Sequence, residues 1–170
     1  IERSTLANTF SPFFRWGISA YQYFKDSGLR YAVGVYKNDA FGASGHDEDD
    51  KLTLAVTGRL TWSSAAPGDV IHLGAWHSYR DMGDNDLSAR FARGEVRETN
   101  VRLVDYAVGG ETAALNSMSQ SGLEFAYQAN AFPLEAEYAS RYLDTVDSSN
   151  ELDGERFDGF HVSASYFLGG

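Results

Sequence analysis

The most constraining feature of the chain is an alternation of apolar and polar side chains through residues 51–80. Alternate side chains on a β-strand point to opposite faces, so the two runs at 51–62 and 70–80 predict strands with one apolar and one polar surface. Each run has about 11 residues, more than the roughly 5–6 of an ordinary strand and close to the ~9–11 that cross a bilayer. Trp62 and Tyr79 stand where interfacial aromatic residues would lie. The stretch therefore predicts a membrane-spanning hairpin with a seven-residue turn at 63–69.

Composition narrows the alternatives. The chain has no cysteine, which leaves no disulfide framework, thiol nucleophile or thiolate metal site. No apolar run approaches the ~18–20 residues of a transmembrane helix. The net charge is −10, and 14 of the 24 acidic residues lie in 39–50, 81–86 and 144–158. The acidity is thus predicted to belong to three loops, with mildly cationic strands between them.

The same alternation predicts further strands of an antiparallel β-barrel. The predicted strands cover residues 14–23, 29–36, 51–62, 70–80, 87–95, 99–108, 118–130, 134–142 and 157–168. Short turns are expected at 24–28, 63–69, 96–98 and 130–133, and outer loops at 37–50, 81–86, 109–117 and 143–156. Nine strands do not close a bacterial barrel, which has an even number, and unpaired edges are not tolerated in lipid. We therefore expect a single segment, residues 1–170, of a larger barrel with both barrel termini missing.

Several short stretches, in order along the chain, resemble the phosphate-selective porin O and P family of outer-membrane channels. They are residues 2–4 (ERS) before 10–12 (FSP), 31–35 (YAVGV) before 38–39 (ND), 57–62 (TGRLTW), 72–75 (HLGA) with 79–80 (YR), 122–124 (GLE), 137–138 (EY), 157–160 (FDGF) and 163–168 (SASYFL). The resemblance implies a sixteen-stranded barrel in the bacterial outer membrane, of which this chain is a central segment. It also implies a homotrimer, contact with lipid and lipopolysaccharide, and diffusion of small anions, phosphate in some members, past basic residues on the pore wall.

Five arginines fall on the polar parity of predicted strands: Arg15, Arg30, Arg59, Arg80 and Arg90. A guanidinium group stays charged at any relevant pH and can bind phosphate with two parallel hydrogen bonds. These residues are therefore predicted to line an anion path, although pairing with Glu124, Glu135 and Glu137 is an equally open role for them. Arg93 falls on the apolar side of the alternation near a strand end, so its side chain is expected to extend along the apolar surface and place its charge at the membrane interface.

Metal and catalytic sites are not predicted. His72, His77 and His161 are scattered, with His72 and His161 expected to face the lumen, and their spacing matches no metal motif. His46 with the acidic residues 47–50 lacks the alternating ligand pattern of a calcium loop. Glu135 and Glu137 share a strand face about 7 Å apart, which does not by itself make an acid–base pair. No nucleophile or phosphate-loop motif is present, and no cofactor is expected.

Two other interpretations of the sequence stay open. The apolar faces could form the core of a soluble β-sandwich-like binding module, although sandwich strands seldom alternate cleanly over ten residues. An outer-membrane barrel without a conducting pore is the other alternative. Nucleic-acid binding is not expected, because the basic residues form no cluster. The segment is also expected not to fold without its missing strands.

Overall fold

The computed structural model describes residues 16–37, 53–66, 69–87, 90–93, 102–105 and 113–167. All regular elements in these ranges are β-strands. They are β1 (Gly17–Phe24), β2 (Leu29–Lys37), β3 (Leu54–Ala66), β4 (Asp69–Leu87), β5 (Arg90–Arg93), β6 (Arg102–Asp105), β7 (Ala113–Ala129), β8 (Phe132–Thr145) and β9 (Arg156–Ala164). Within the described ranges there is no helix long and apolar enough to cross a membrane.

Seven of the strands form one antiparallel sheet in the order β1-β2-β3-β4-β7-β8-β9. The register keeps the alternation in phase across the sheet: Val33 of β2 lies opposite Ala20 of β1 and Gly58 of β3, and Leu123 of β7 lies opposite Ala75 and Tyr138. The apolar side of each strand therefore lies beside the apolar side of the next, so one face of the sheet is apolar and the other polar from β1 to β9. The predicted all-β antiparallel sheet is confirmed.

The polar face of the sheet is the more buried of the two faces, and the apolar face is mostly exposed. Among the described strand residues, every buried side chain lies on the polar face, including Gln120 at 1% exposure and Arg141 at 6%. On the apolar face Ile18 and Phe160 are 83% and 80% exposed. A soluble sandwich would bury its apolar face in a core. This arrangement is instead the one expected when lipid covers the apolar face and a water-filled interior lies on the polar side.

The turns at one end of the sheet are tight. Gly28, in the turn between β1 and β2, has φ +70°, and a Cβ atom there would lie 2.0 Å from the carbonyl oxygen of Ser63. The Ser63 amide in turn donates to the Gly28 carbonyl oxygen, at 3.0 Å. Asn130, between β7 and β8, has φ 50°, a conformation that asparagine tolerates. The predicted short turns at 24–28 and 130–133 are confirmed.

Both strands of the central hairpin extend further into the turn than predicted, and β4 also extends further at its other end. β3 continues to Ala66 and β4 begins at Asp69, so two residues connect them instead of seven. The predicted acidic loop at 81–86 is wrong, because these residues belong to β4 and pair with the start of β7 after a register shift between Asp81 and Asn85. The same pairing shortens the predicted outer loop at 109–117. Acidic residues do not end a strand when the partner strand continues beside them, which explains the error.

The predicted barrel strands at 87–95 and 99–108 are also wrong in their pairing. The structure has the shorter β5 and β6 there, and these pair with each other in a separate two-stranded sheet. β4 pairs directly with β7, with Leu87 opposite Ala113. The chain thus leaves the main sheet at Leu87 and rejoins it at Ala113, at the same end, and β5 and β6 come between these two points in the sequence. The expected inner turn at 96–98 lies outside the described residues.

Candidate pore wall

The polar face of the seven-stranded sheet is the candidate pore wall. Its described charged side chains are four arginines and three glutamates: Arg30, Arg59, Arg80, Arg141, Glu124, Glu135 and Glu137. Because the register is antiparallel and unbroken through the middle of the sheet, these residues lie in a few rows that cross the strands.

An ion pair joins Arg59 of β3 to Glu124 of β7. The guanidinium donates two hydrogen bonds to the carboxylate, one of them from Nε to Oε1 at 2.9 Å. The side chain of Arg59 is 47% exposed and that of Glu124 is 17% exposed. β4 lies between β3 and β7, so the pair spans an intervening strand. Two guanidinium nitrogens bond to the two carboxylate oxygens, and this bidentate arrangement is the strongest geometry for an arginine–carboxylate pair.

His72 and Ser63 extend this ion pair along the wall. The His72 Nδ1 atom lies 2.8 Å from the hydroxyl of Ser63, and its Nε2 atom lies 3.5 Å from Oε2 of Glu124. Glu137 of β8 is directly opposite Glu124, and His161 of β9 is directly opposite Glu137. The two glutamates are therefore neighbours, with Arg59 and His72 on the β3–β4 side of them and His161 on the β9 side.

Two glycines make room for these side chains. A Cβ atom on Gly74 of β4 would lie 2.8 Å from Oε2 of Glu124, because the glutamate crosses β4 at that point. A Cβ atom on Gly122 of β7 would lie 2.3 Å from the indole of Trp76, whose ring covers the glycine. Larger residues at either position would displace the side chain that now crosses the strand.

Toward the long-loop end, the wall is buried. Thr57 and Ser78 share a hydrogen bond of 2.8 Å, and Gln120 and Arg141 continue the same row on β7 and β8. Beyond them, Leu115, Met118 and Leu143 form a small apolar cluster against Met82 and Phe157. Polar wall and apolar cluster thus adjoin at this end of the sheet.

The predicted arginines have different surroundings. Arg30 lies on the polar face with its guanidinium 5.1 Å from the ring centroid of Tyr23, a cation–π contact. Arg59 lies in the ion pair, and Arg80 is buried on the same face. Arg15 is outside the described residues. Arg90 begins β5, which is not part of the main sheet. The alternation along a main-sheet strand, on which its pore-lining position was predicted, therefore does not apply to it. Its role stays a prediction.

The other predicted residues divide between the two faces. His72, His161, Glu135 and Glu137 lie on the polar face, as their parity predicts. His77 lies on the apolar face, where its Nδ1 atom is 2.8 Å from the hydroxyl of Ser121. The described residues include no group of three potential metal ligands. His46 and residues 47–50 lie outside the described ranges, and the side chain of Arg93 in β5 is likewise not described.

Sequence reasoning missed Arg141 and Trp76 as wall residues. Arg141 has the same parity as Glu135 and Glu137, so the alternation that identified those glutamates also identifies this arginine. Trp76 falls on the polar side of the alternation in β4, but its apolar side chain did not suggest a place on the pore wall. No sequence signal indicates the contact of Trp76 with Gly122, which depends on the register between β4 and β7.

A polar face that is the more buried one, an exposed apolar face and long antiparallel strands are together typical of a membrane-spanning β-barrel wall. The comparison with family models gives the family: the model described as phosphate-selective porin O and P matches residues 1–170, the whole chain. The chain belongs to this family of outer-membrane porins, and its membership points to a channel. Comparison with curated proteins and with solved structures gave no match.

Proposed function

We propose that the protein is a passive porin whose inner wall favours small anions, inorganic phosphate among them. The observation that carries the proposal is the charge of the described polar face, where four arginines stand against three glutamates. Charged side chains at the wall of a pore set its ion preference. Guanidinium groups suit phosphate because they can donate two parallel hydrogen bonds to it.

The arginines do not contribute equally in this proposal. Arg59 is compensated by Glu124, so its attraction for a passing anion is weakened. Arg30 is exposed and contacts the face of Tyr23, which leaves its charge uncompensated by that contact. Arg30 is therefore proposed as the stronger anion-attracting group of the two.

Closure of the barrel is part of the proposal. β1 and β9 are the edges of the described sheet, and each pairs on one side there. Backbone groups at an open edge find no hydrogen-bond partner in lipid. We propose that further strands pair with both edges, giving the sixteen-stranded barrel that the family resemblance implies, and that three such barrels associate.

The test is the reversal potential of the intact protein in a planar bilayer under a KCl gradient. Arg30→Gln is expected to shift the reversal potential away from the chloride value, and Glu124→Gln is expected to shift it toward that value by releasing Arg59. Arg156→Gln removes the same charge from the apolar face and serves as the matched control, with no expected change.

Addition of inorganic phosphate to one side should reduce the chloride current of the wild type more than that of Arg30→Gln. A cation-selective wild type would overturn the anion preference and leave a general porin. Absence of conductance in the folded, membrane-inserted protein would favour the alternative of a barrel without a conducting pore.

A further inference from the structure

Both ring nitrogens of His72 on β4 have polar neighbours on the pore wall. Nδ1 lies 2.8 Å from the hydroxyl of Ser63 on β3, and Nε2 lies 3.5 Å from Oε2 of Glu124 on β7. Glu124 in turn accepts two hydrogen bonds from Arg59. The side chain of His72 is 27% exposed, so water on the polar side of the sheet can reach the ring. An ionisable ring thus lies directly beside the ion pair.

The Ser63 hydroxyl lets His72 hold either charge without moving. Because a carboxylate accepts only, Nε2 carries the proton in the neutral ring, and Nδ1 then accepts a hydrogen bond from the hydroxyl. In the charged ring both nitrogens carry a proton, and the same hydroxyl accepts from Nδ1 after rotation about its C–O bond. A proton can therefore be gained or lost here without breaking a contact of the ring.

The charged and titratable groups around His72 lie on the strands to both sides of β4. They are Arg30 of β2, Arg59 of β3, Glu124 of β7, Glu135 and Glu137 of β8, and His161 of β9. Glu135 is in the same row as His72, beyond Ala126 of β7. Glu124 is the member of this set that contacts the ring, and a positive ring beside a carboxylate is a favourable arrangement of charge.

A proton on His72 has a large effect on the charge of the wall. The four arginines and three glutamates of the described polar face leave a net charge of +1 while its histidines are neutral, and the proton raises this to +2. The new charge also lies against Glu124, which then has two cations beside it. Arg59 is therefore less compensated, and both changes favour a passing anion.

We infer that His72 determines how strongly the pore prefers anions at a given pH. Histidine is the side chain whose ordinary pKa places its change of charge between about pH 5 and pH 8, so the anion preference rises as the pH falls through this range. One unit charge about 10 Å from an ion in water changes the local concentration of that ion about twofold. This inference rests on the proposed porin and adds the residue through which pH alters its ion preference.

The test is the reversal potential of the intact protein in a planar bilayer, in a KCl gradient at or below about 0.1 M, where screening is weak. A His161→Gln background removes the second histidine of the described polar face. In this background the ratio of chloride to potassium permeability is expected to rise about twofold from pH 8 to pH 5. Adding His72→Gln should remove at least half of this rise. Adding His77→Gln, on the apolar face of the same strand, is the matched control and should leave it intact.

Equal rises in the His72→Gln and His77→Gln variants would overturn the inference. A nitrogen NMR titration of the folded protein in micelles gives a readout without conduction, and a His72 ring that stays neutral down to about pH 5 would overturn it as well. A wild type that prefers cations throughout, but shifts toward chloride at low pH through His72, rejects the proposed anion preference and supports the inference. A wild type that prefers anions without any contribution from His72 rejects the inference alone.

Discussion

Arg59 and Glu124 are 65 residues apart in sequence and lie on strands that are not neighbours in the sheet, yet they form an ion pair with two hydrogen bonds across β4. The pair can form because Gly74, the residue of β4 beneath it, has no side chain. The strands on both sides of β4 are thereby linked on the polar face, and three residues from three strands depend on one another.

Gly74→Ala should weaken this link. The new Cβ atom would lie 2.8 Å from Oε2 and 3.2 Å from Cβ of Glu124, so the glutamate must move. We expect the free energy of unfolding to fall by about 1 kcal/mol or less, because partly exposed ion pairs contribute about 0–1 kcal/mol. Gly58→Ala is the matched control, since a Cβ atom there meets nothing within 4 Å. Equal effects of the two substitutions in guanidinium unfolding would contradict the prediction.

Gly122→Ala should displace the indole of Trp76, which would lie 2.3 Å from the new Cβ atom. Overpacking of this kind costs about 1–3 kcal/mol. The emission spectrum of Trp76 reports the movement directly in a background of Trp16→Phe and Trp62→Phe, since the chain has three tryptophans. An unchanged spectrum together with unchanged stability would show that the ring does not cover Gly122.

Gln120→Leu should stabilise the protein. Gln120 is 1% exposed, and neither atom of its side-chain amide has a hydrogen-bond partner among the described residues. Burial of an unpaired polar group costs about 1–3 kcal/mol, and leucine removes that cost at similar volume. Ser78→Ala, in the same row, should instead destabilise by about 1 kcal/mol because it breaks the bond with Thr57. A loss of stability in Gln120→Leu would mean that its amide is satisfied.

Gly28→Ala and Gly154→Ala form a matched pair that separates backbone strain from steric conflict. Both glycines have a left-handed φ, +70° and +73°, but a Cβ atom at Gly28 would lie 2.0 Å from the Ser63 oxygen and one at Gly154 has 3.7 Å to Tyr142. We expect Gly154→Ala to cost about 1 kcal/mol from strain alone. Gly28→Ala should cost clearly more in the same thermal or guanidinium unfolding experiment, and similar losses would disprove the close approach of the turn to β3.

The loop after β8 offers a pH-dependent readout. The hydroxyl and the backbone N–H of Ser149 donate to Asp147, which holds the pKa of that exposed carboxyl below its usual value. A lowered pKa in the folded state means that the stabilisation is present at neutral pH and is lost as the pH falls through the folded pKa. Ser149→Ala should raise the Asp147 pKa in an NMR titration, and Ser148→Ala should leave it unchanged. A pKa that moves equally in both variants would remove Ser149 as the cause.

Alternation along the chain was sufficient to predict the sheet and the face on which Arg30, Arg59 and Arg80 lie, because strand periodicity alone determines parity. The partner of Arg59 was not predictable with the same certainty, because Glu124 reaches it across a strand and the contact needs both the β3–β4 and β4–β7 registers. The pairing of β4 with β7 was missed for a related reason. Local sequence does not distinguish a strand that joins the main sheet from one, like β5, that pairs elsewhere.

The position of Glu124 over Gly74 also has a geometric consequence for transport. A Cβ atom at Gly74 would lie within 3.2 Å of the oxygen Oε2, Cδ and Cβ of Glu124, so the whole glutamate side chain folds over the β4 backbone instead of extending away from the sheet. A side chain held this close to the wall takes less room from a pore than an extended one. In the proposed porin, Glu124 would therefore place its charge at the wall without reaching toward the centre of the channel.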